Sequence, residues 1–314
     1  MIMRLVFLAM LVAQASYAAV IFEDDFEYVA NRNVTDVQIP FEAAGWTDAK
    51  ATNSDYGGSG GYLYTLDNTP LNSKVLVMES LPTTVGGQTS YHLQYGDSTE
   101  PEGTIPANVW FQFWTYATPG SQFERQKFLY PCHQAYNCPT ETYLWILYFQ
   151  ESDLTGVGDE VVTAATGGRF FRLQSAYSNY SGGETWNAAK LFQNVSHTEM
   201  AVSTWYLVKL HIDTSGAQGT YEVWIRARGT PTWTKLAEWI GGTTPNFDWP
   251  IPANQRNGNR VLAIPTTVDT YDSTTYMDDF VMATTEEDLP TYGDATGDRN
   301  FSPVLNLRVA QGEP

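Results

Sequence analysis

The sequence predicts an all-β fold in which antiparallel sheets pack on one another as a sandwich or jelly roll. Many short segments alternate apolar and polar residues and are rich in Trp, Tyr, Phe, Val and Thr. Gly, Pro, Asn, Asp and Ser separate these segments, and helical periodicity is nearly absent, so no helices are expected between the strands. The segments are 74–80, 90–96, 108–117, 126–130, 142–150, 168–177, 204–213, 220–229 and 275–284.

The beginning and the end of the chain differ from this pattern. Arg4, the apolar run at 5–15 and the small residues that follow it are typical of a secretory signal peptide, here 1–18. This predicts an exported protein, extracellular or periplasmic, and no segment is apolar enough to predict a membrane span. The sandwich domain is expected at 19–289, with a polar tail at 290–314.

Alternation also predicts which side chains enter the core. In the segment 204–213, the residues Tyr206, Val208, Leu210 and Ile212 share one face of the predicted strand. By contrast, residues 47–72 are rich in Gly, Ser, Asn and Asp, and we expect a long surface loop there.

The charge of the chain excludes two classes of partner. It contains 17 Lys and Arg residues and 35 Asp and Glu residues, which gives a formal net charge of -18. Such a surface repels nucleic acid and anionic membranes. It also disfavours an anionic ligand, unless a local basic groove overrides the net field.

Two cysteines, Cys132 and Cys138, lie close together in the sequence. In an exported protein an even, closely spaced pair predicts a disulfide that closes a short loop. Their spacing does not match the two-residue spacing of zinc-binding or redox cysteine pairs.

The stretch EDDFE, residues 23–27, has two interpretations. Its spacing resembles the Glu-x-Asp-x-Glu motif of laminarinase-type endo-glucanases, in which Glu23, Asp25 and Glu27 would share one strand face. Two such glutamates suit the double displacement of a retaining glycosidase. The stretch lies close to the predicted leader and lacks the flanking apolar run of a central strand, so a glycoside hydrolase is the less favoured interpretation.

The second interpretation pairs this stretch with the last strand, where the DDF of 278–280 repeats the DDF of 24–26. Together with the strand pattern over most of residues 19–289, this resembles the concanavalin-A-like jelly-roll superfamily of lectins, glucanases and polysaccharide lyases. The resemblance implies that the first and last strands lie side by side. It also implies a structural Ca²⁺, with Glu23, Asp25 and Asp278 as ligands.

Within this superfamily, residues 109–130 and 205–229 resemble the front and back halves of jelly-roll alginate and glucuronan lyases. The signature motifs of the best-known alginate lyase family, Arg-x-Glu-Leu-Arg and Gln-Ile-His, are absent. Lyase chemistry needs a cation or amide to neutralise the uronate carboxylate, a base to remove the neighbouring proton, and an acid to protonate the leaving oxygen.

Candidate residues for these roles are concentrated in two regions of the chain. The catalytic candidates are Lys127, His133, Tyr148, Arg172 and Gln174, and the substrate-binding candidates are Tyr177, Tyr180 and Trp186. A second group, Lys209, His211 and Arg226, is better explained as a solvated face with cross-strand charge pairing to Glu222.

The sequence therefore predicts a secreted carbohydrate-active protein whose partner is a polysaccharide. We favour a polysaccharide lyase acting on a uronate-containing glycan by β-elimination, and a non-catalytic carbohydrate-binding or adhesion domain is the alternative. Whether the chain is an enzyme at all stays open at this point.

In the tail, Asp294, Thr296 and Asp298 resemble the start of a dockerin calcium loop, but Arg299 and Leu305 replace its glycine and its closing acidic ligand.

Overall fold

A computed structural model describes eighteen stretches of the chain. They are residues 20–30, 38–49, 62–68, 73–80, 88–96, 105–106, 108–118, 126–134, 140–149, 151–152, 162–163, 170–179, 186–192, 198–213, 220–240, 260–268, 273–292 and 299–300. Across these stretches there is no helix with the length and apolar character needed to span a bilayer.

Strands account for almost all of the regular structure. The strands are β1 (Val20–Asp24), β2 (Asp48–Ala49), β3 (Tyr62–Asn68), β4 (Ser73–Ser80), β5 (Gln88–Tyr95), β6 (Asn108–Ala117), β7 (Gln126–Gln134), β8 (Thr140–Phe149), β9 (Glu151–Ser152), β10 (Val162–Thr163), β11 (Phe170–Asn179), β12 (Trp186–Phe192), β13 (Tyr206–Asp213), β14 (Thr220–Ala227), β15 (Thr234–Ile240), β16 (Arg260–Val268), β17 (Ser273–Ala283), β18 (Thr291–Tyr292) and β19 (Arg299–Asn300). One α-helix, α1 (Gln38–Ala43), and one 3-10 helix (Glu286–Asp288) complete the described elements.

Two large antiparallel sheets organise these strands. The eight-stranded sheet has the order β15-β14-β13-β6-β17-β4-β3, with β1 also pairing with β17. The seven-stranded sheet has the order β12-β11-β8-β7-β16-β5-β2. The predicted fold class, an all-β protein of antiparallel sheets, is confirmed.

The core lies between the two sheets. On β13, Val208, Leu210 and Ile212 are fully buried, as the alternation predicts. Leu93 on β5 of the seven-stranded sheet belongs to the same buried cluster. Since residues of both sheets share this cluster, the two sheets form a sandwich, and each sheet has one inner and one outer face.

The first and last strands of the sandwich lie side by side, as the sequence predicts. Phe22 on β1 is the ladder partner of Met282 on β17, and Asp24 is the partner of Phe280. All four of these residues are buried. The prediction of a loop over residues 47–72 is wrong for 62–68, where the alternation of Tyr, Leu and Thr forms β3 and buries Leu63.

Packing continues beyond Leu289. Residues 286–292, here called the C-terminal strap, cross the outer face of the eight-stranded sheet. The amide of Gln112 on β6 donates a hydrogen bond to the carbonyl oxygen of Pro290 at 2.7 Å. Tyr292 is buried, and its ring meets the Trp114 ring edge-on at 5.3 Å. The packed structure therefore reaches at least to Tyr292, three residues past the end predicted for the domain.

We expect Tyr292→Ala to lower the free energy of unfolding by about 1–3 kcal/mol, because the ring leaves a buried site against Trp114. Chemical denaturation of the full chain measures this change. Tyr292→Phe retains the ring and serves as the control. Equal stability of Tyr292→Ala and the natural protein would show that the strap contributes nothing to the fold.

Candidate functional site

The register of the seven-stranded sheet brings two of the predicted catalytic residues into one row. Leu147 on β8 is the ladder partner of Lys127 on β7 and of Arg172 on β11. Residues directly opposite one another occupy the same face of a sheet, and two strand spacings separate the outer members by about 10 Å. Gln174 lies two positions along β11, on the same face, opposite Trp145.

This row lies on the outer face of its sheet. Buried Leu93 is the partner of Ile264 on β16, so Ile264 occupies the inner face. Val261 is three positions away and therefore occupies the outer face, and its partner on β7 is His133. His133 is also the partner of Tyr143 on β8, which lies an even number of positions from Leu147. The pleat thus places His133 on the same outer face as the row.

Other predicted residues lie elsewhere. Tyr148 follows Leu147 on β8 and occupies the inner face, and Tyr177 is opposite Thr142 on that same inner face. Trp186 begins the edge strand β12 opposite Ser178, which is six residues along β11 from Arg172. Tyr180 falls outside the described residues.

Tyr143 is the residue that sequence reasoning missed. It is the only tyrosine of β8 on the outer face, and it pairs with His133 and with Ala176. Alternation within the segment 142–150 separates Tyr143 from Tyr148 but does not tell which set faces outward. The pairing of β8 with β7, and of β7 with β16, is what shows that Tyr143 is on the outer face.

The residues proposed to bind calcium do not form a metal-binding group. Within the described ranges, no three His, Cys, Asp or Glu side chains come together as a metal ion would require. Glu23 and Asp25 are exposed, whereas Asp278 is buried and accepts hydrogen bonds from the Ser73 hydroxyl and the Asp279 amide. The donor set predicted from the sequence therefore does not fit a Ca²⁺ ion.

The EDDFE stretch does not form a glycosidase face. Strand β1 ends at Asp24, and Phe26 has a left-handed backbone with a φ of 53°. The Glu27 carboxylate accepts a hydrogen bond from the main-chain amide of Lys74 at 2.9 Å. Because the chain turns within the stretch, the three acidic residues do not follow one another along a single strand.

The acidic residue that matters structurally here is Asp24, which is 5% exposed. Its carboxylate accepts hydrogen bonds from the Trp46 indole at 2.5 Å, the Tyr28 hydroxyl at 2.8 Å and the Phe26 amide at 2.8 Å. Burial raises the pKa of Asp24 to about 6, and the three donors only partly offset this effect. Through these hydrogen bonds, the Asp24 carboxylate links the turn after β1 to the Trp46 side chain in the core.

The raised pKa of Asp24 predicts a pH dependence of stability. An aspartate with an ordinary pKa of 3.8 binds its proton more tightly in this folded site, so its contribution is full below pH 3.8 and is lost as the pH rises through about 6. We expect this contribution to amount to roughly 3 kcal/mol. Denaturation of the natural protein and of Asp24→Asn at pH 4 and pH 7.5 measures it.

In that comparison, Asp24→Asn should show a weaker decrease in the free energy of unfolding between the two pH values than the natural protein. Glu23→Gln, at the exposed neighbouring position, is the matched control and should retain the full decrease. The same pH dependence in all three proteins would contradict the assignment to Asp24.

Two sequence predictions cannot be judged from the described residues. Cys132 lies on β7 opposite Leu144, but its predicted disulfide partner Cys138 is outside the described stretches. The same holds for Asp294, Thr296 and Asp298 of the dockerin-like loop. Both stay predictions.

The second group of charged residues lies on the outer face of the eight-stranded sheet. His211 Nδ1 is 3.3 Å from the Glu222 carboxylate, and the Lys235 ammonium donates to the same carboxylate at 2.7 Å. The hydrogen bonds from His211 and Lys235 lower the pKa of Glu222, although burial opposes them. Of the predicted group, His211 therefore contacts Glu222, whereas Lys209 pairs with Glu286.

Comparisons with known proteins concern the fold. No protein-family model matches the chain, and no curated protein matches it. Among solved structures, the chain is similar to alginate lyase Aly36B, with 12% identity, a TM-score of 0.47, and coverage of 83% of this chain and 95% of that chain. It is similar to the cellulose-induced protein Cip1, with 13% identity, a TM-score of 0.42, and coverage of 84% and 97%.

A third similar structure is the catalytic domain of a GH131 β-glucanase from Podospora anserina, with 12% identity and a TM-score of 0.37 over 89% of this chain and 98% of that chain. At such identities and TM-scores, these similarities carry no argument about this chain, and no residue role is taken from them.

Proposed function

We propose that this chain is an exported, carbohydrate-active protein, a polysaccharide lyase that cleaves a uronate-containing glycan by β-elimination. The observation that carries the proposal is the row formed by Lys127, Leu147 and Arg172 on the outer face of the seven-stranded sheet. The two cationic positions lie about 10 Å apart on either side of an apolar position, a strand spacing wide enough for a sugar ring.

Each residue of the row has a role in this chemistry. Arg172, with Gln174, neutralises the uronate carboxylate, so that the carbon next to it releases a proton more easily. Lys127 in its neutral form removes that proton. The electron pair of the broken C–H bond forms a C=C bond, and the glycosidic oxygen on the adjacent carbon leaves with a proton returned by the ammonium that Lys127 has become.

The pair of His133 and Tyr143 is a candidate binding position for another sugar residue of the same glycan. It lies on the outer face four residues along β8 from Leu147, a distance of about 13 Å. A glycan lying along β8 would therefore place the reacting uronate at the row and a more distant sugar residue at this pair. Two cationic residues on this face attract an anionic polymer locally despite the net charge of -18.

A non-catalytic binding domain is the alternative, and the position of Trp145 favours it. Trp145 lies on the outer face opposite Gln174, and an indole there supplies a flat apolar surface for a sugar ring without any chemistry. In that case the cations would only hold the carboxylates of the glycan.

Ultraviolet absorbance separates the two functions. Elimination produces an unsaturated uronate that absorbs strongly, so the purified mature protein is mixed with alginate, glucuronan and heparin-type chains, with and without Ca²⁺. A rise that Arg172→Ala abolishes, in a protein that still folds, supports the lyase. A flat trace across the whole panel would refute it, and retardation by the same glycans in an affinity gel would then support the binding domain.

A further inference from the structure

The other sheet of the sandwich carries a recess on its outer face. The C-terminal strap closes one side of it, and the cavity has a volume of about 160 Å³. Its walls include the side chains of Gln112, Lys209, Arg226 and Trp233 together with Glu286 and Tyr292 of the strap. This face points away from the core and therefore away from the proposed catalytic row.

Indole rings hold the cations of the recess in place. The Lys209 ammonium lies 4.8 Å from the centre of the Trp233 ring and 4.9 Å from that of Trp224. The Arg226 guanidinium lies 5.2 Å from the same Trp233 ring. Such contacts hold a cation in a fixed position against the ring.

A parallel stack of rings supports this arrangement from the side. The rings of Trp110 and His211 are stacked at 4.0 Å with an interplanar angle of 10°, and Trp224 lies nearly parallel to Trp110 at 5.9 Å. The rings come from three neighbouring strands, β6, β13 and β14, so the stack beside Lys209 stands on the rigid sheet rather than on a loop.

The strap places acceptors opposite these cations. The Glu286 carboxylate forms an ion pair with the Lys209 ammonium, and the carbonyl oxygen of Tyr292 accepts a hydrogen bond from Arg226 at 3.3 Å. An external carboxylate that entered the recess would meet the same two cations. A ligand carboxylate would therefore replace the Glu286 carboxylate, which is 48% exposed, at the Lys209 ammonium.

We propose that this recess is a second glycan-binding site, which receives an acidic sugar residue. The Trp233 indole provides the flat apolar surface that the C–H groups of a sugar ring require. Arg226 and Lys209 provide charge-assisted hydrogen bonds for its carboxylate, and Gln112 provides an amide for a hydroxyl group. The cavity has room for roughly five water molecules, so it accommodates one sugar residue rather than a long segment.

The choice of an acidic glycan rests on the proposed function, whereas the recess itself does not depend on catalysis. One polymer chain that engages both outer faces would hold the protein on its substrate between cleavage events, since the second contact is made at a high effective concentration.

Affinity gels containing alginate test this site. The natural protein would cleave the polymer if it is a lyase, so every variant is made in an Arg172→Ala background. Retardation is compared for that background alone, for Arg226→Gln and for Trp233→Ala, with a neutral β-glucan as the control polymer. Arg228→Gln, two residues from Arg226 and outside the recess, is the matched control.

We expect Arg226→Gln and Trp233→Ala each to weaken alginate binding about tenfold or more, with Arg228→Gln unchanged. Trp233→Phe keeps an aromatic face and should retain most of the binding, which separates loss of the site from loss of the fold. Unchanged retardation of both recess variants, absence of any retardation, or equal retardation by the neutral glucan would overturn the proposal. If no elimination is detected by absorbance but retardation still depends on the recess residues, only the proposed lyase activity is refuted and the recess remains a binding site.

Discussion

Replacing Arg172 with alanine should reduce the rate of elimination on a uronate glycan about 100- to 1,000-fold. This is the usual effect of removing one preorganised group that stabilises charge in a transition state. The effect should be mainly on kcat, because the charge on the carboxylate group grows as the proton leaves. Arg172→Lys keeps the charge but loses the planar fork, so an intermediate rate is expected.

The two faces of the sheet provide the control for this series. Tyr143 and Tyr148 lie on the same strand, but only Tyr143 is on the outer face with Arg172. We therefore expect Tyr143→Phe to slow elimination and Tyr148→Phe to leave it nearly unchanged. A lyase inactivated by Tyr148→Phe and not by Tyr143→Phe would mean that the reaction does not occur on the outer face.

Phe280→Ala should lower the free energy of unfolding by about 3–5 kcal/mol, the range for removing a fully buried aromatic ring. Phe280 is 0% exposed, and its ring lies 5.9 Å from that of Phe113 and 6.0 Å from that of Trp46. The ring thus connects the central strands β6 and β17 with the segment that follows α1. Denaturant unfolding followed by circular dichroism measures the change.

Two further substitutions serve as comparisons for Phe280→Ala. Phe280→Leu keeps much of the buried volume and should be less destabilising than alanine. Leu66→Ala removes a side chain that is 47% exposed on β3, and we expect a change within about 0.5 kcal/mol. A small effect of Phe280→Ala, similar to that of Leu66→Ala, would contradict the central place of this ring.

Most of the fold is predictable because the alternation of apolar and polar residues along a strand indicates which side chains are buried. Val208, Leu210 and Ile212 were assigned to the core from spacing alone, and they are fully buried. The adjacency of the first and last strands followed from a family resemblance. Strand β3 was missed because its few apolar residues lie in a polar, glycine-rich stretch, and their burial depends on a distant partner strand, β4.

The candidate site was less predictable, for a physical reason. Alternation divides each strand into two faces, but the face that meets the core is set by ladders between strands far apart in the chain. Tyr148 and Tyr177 were therefore grouped with Arg172, although the register separates them. The acidic residues 23–27 do not lie along one strand, as their spacing would allow, because β1 ends at Asp24 and the backbone turns at Phe26, whose φ is positive.

The order of strands in the eight-stranded sheet has a consequence for how the protein is made. Strand β17 lies in the middle of that sheet and pairs with β1, β4 and β6, yet it begins only at Ser273. During synthesis, the facing edges of β4 and β6 therefore lack their shared partner until β17 has been made, long after both of them. The eight-stranded sheet cannot be completed before that point, so its central pairing is a late step of folding.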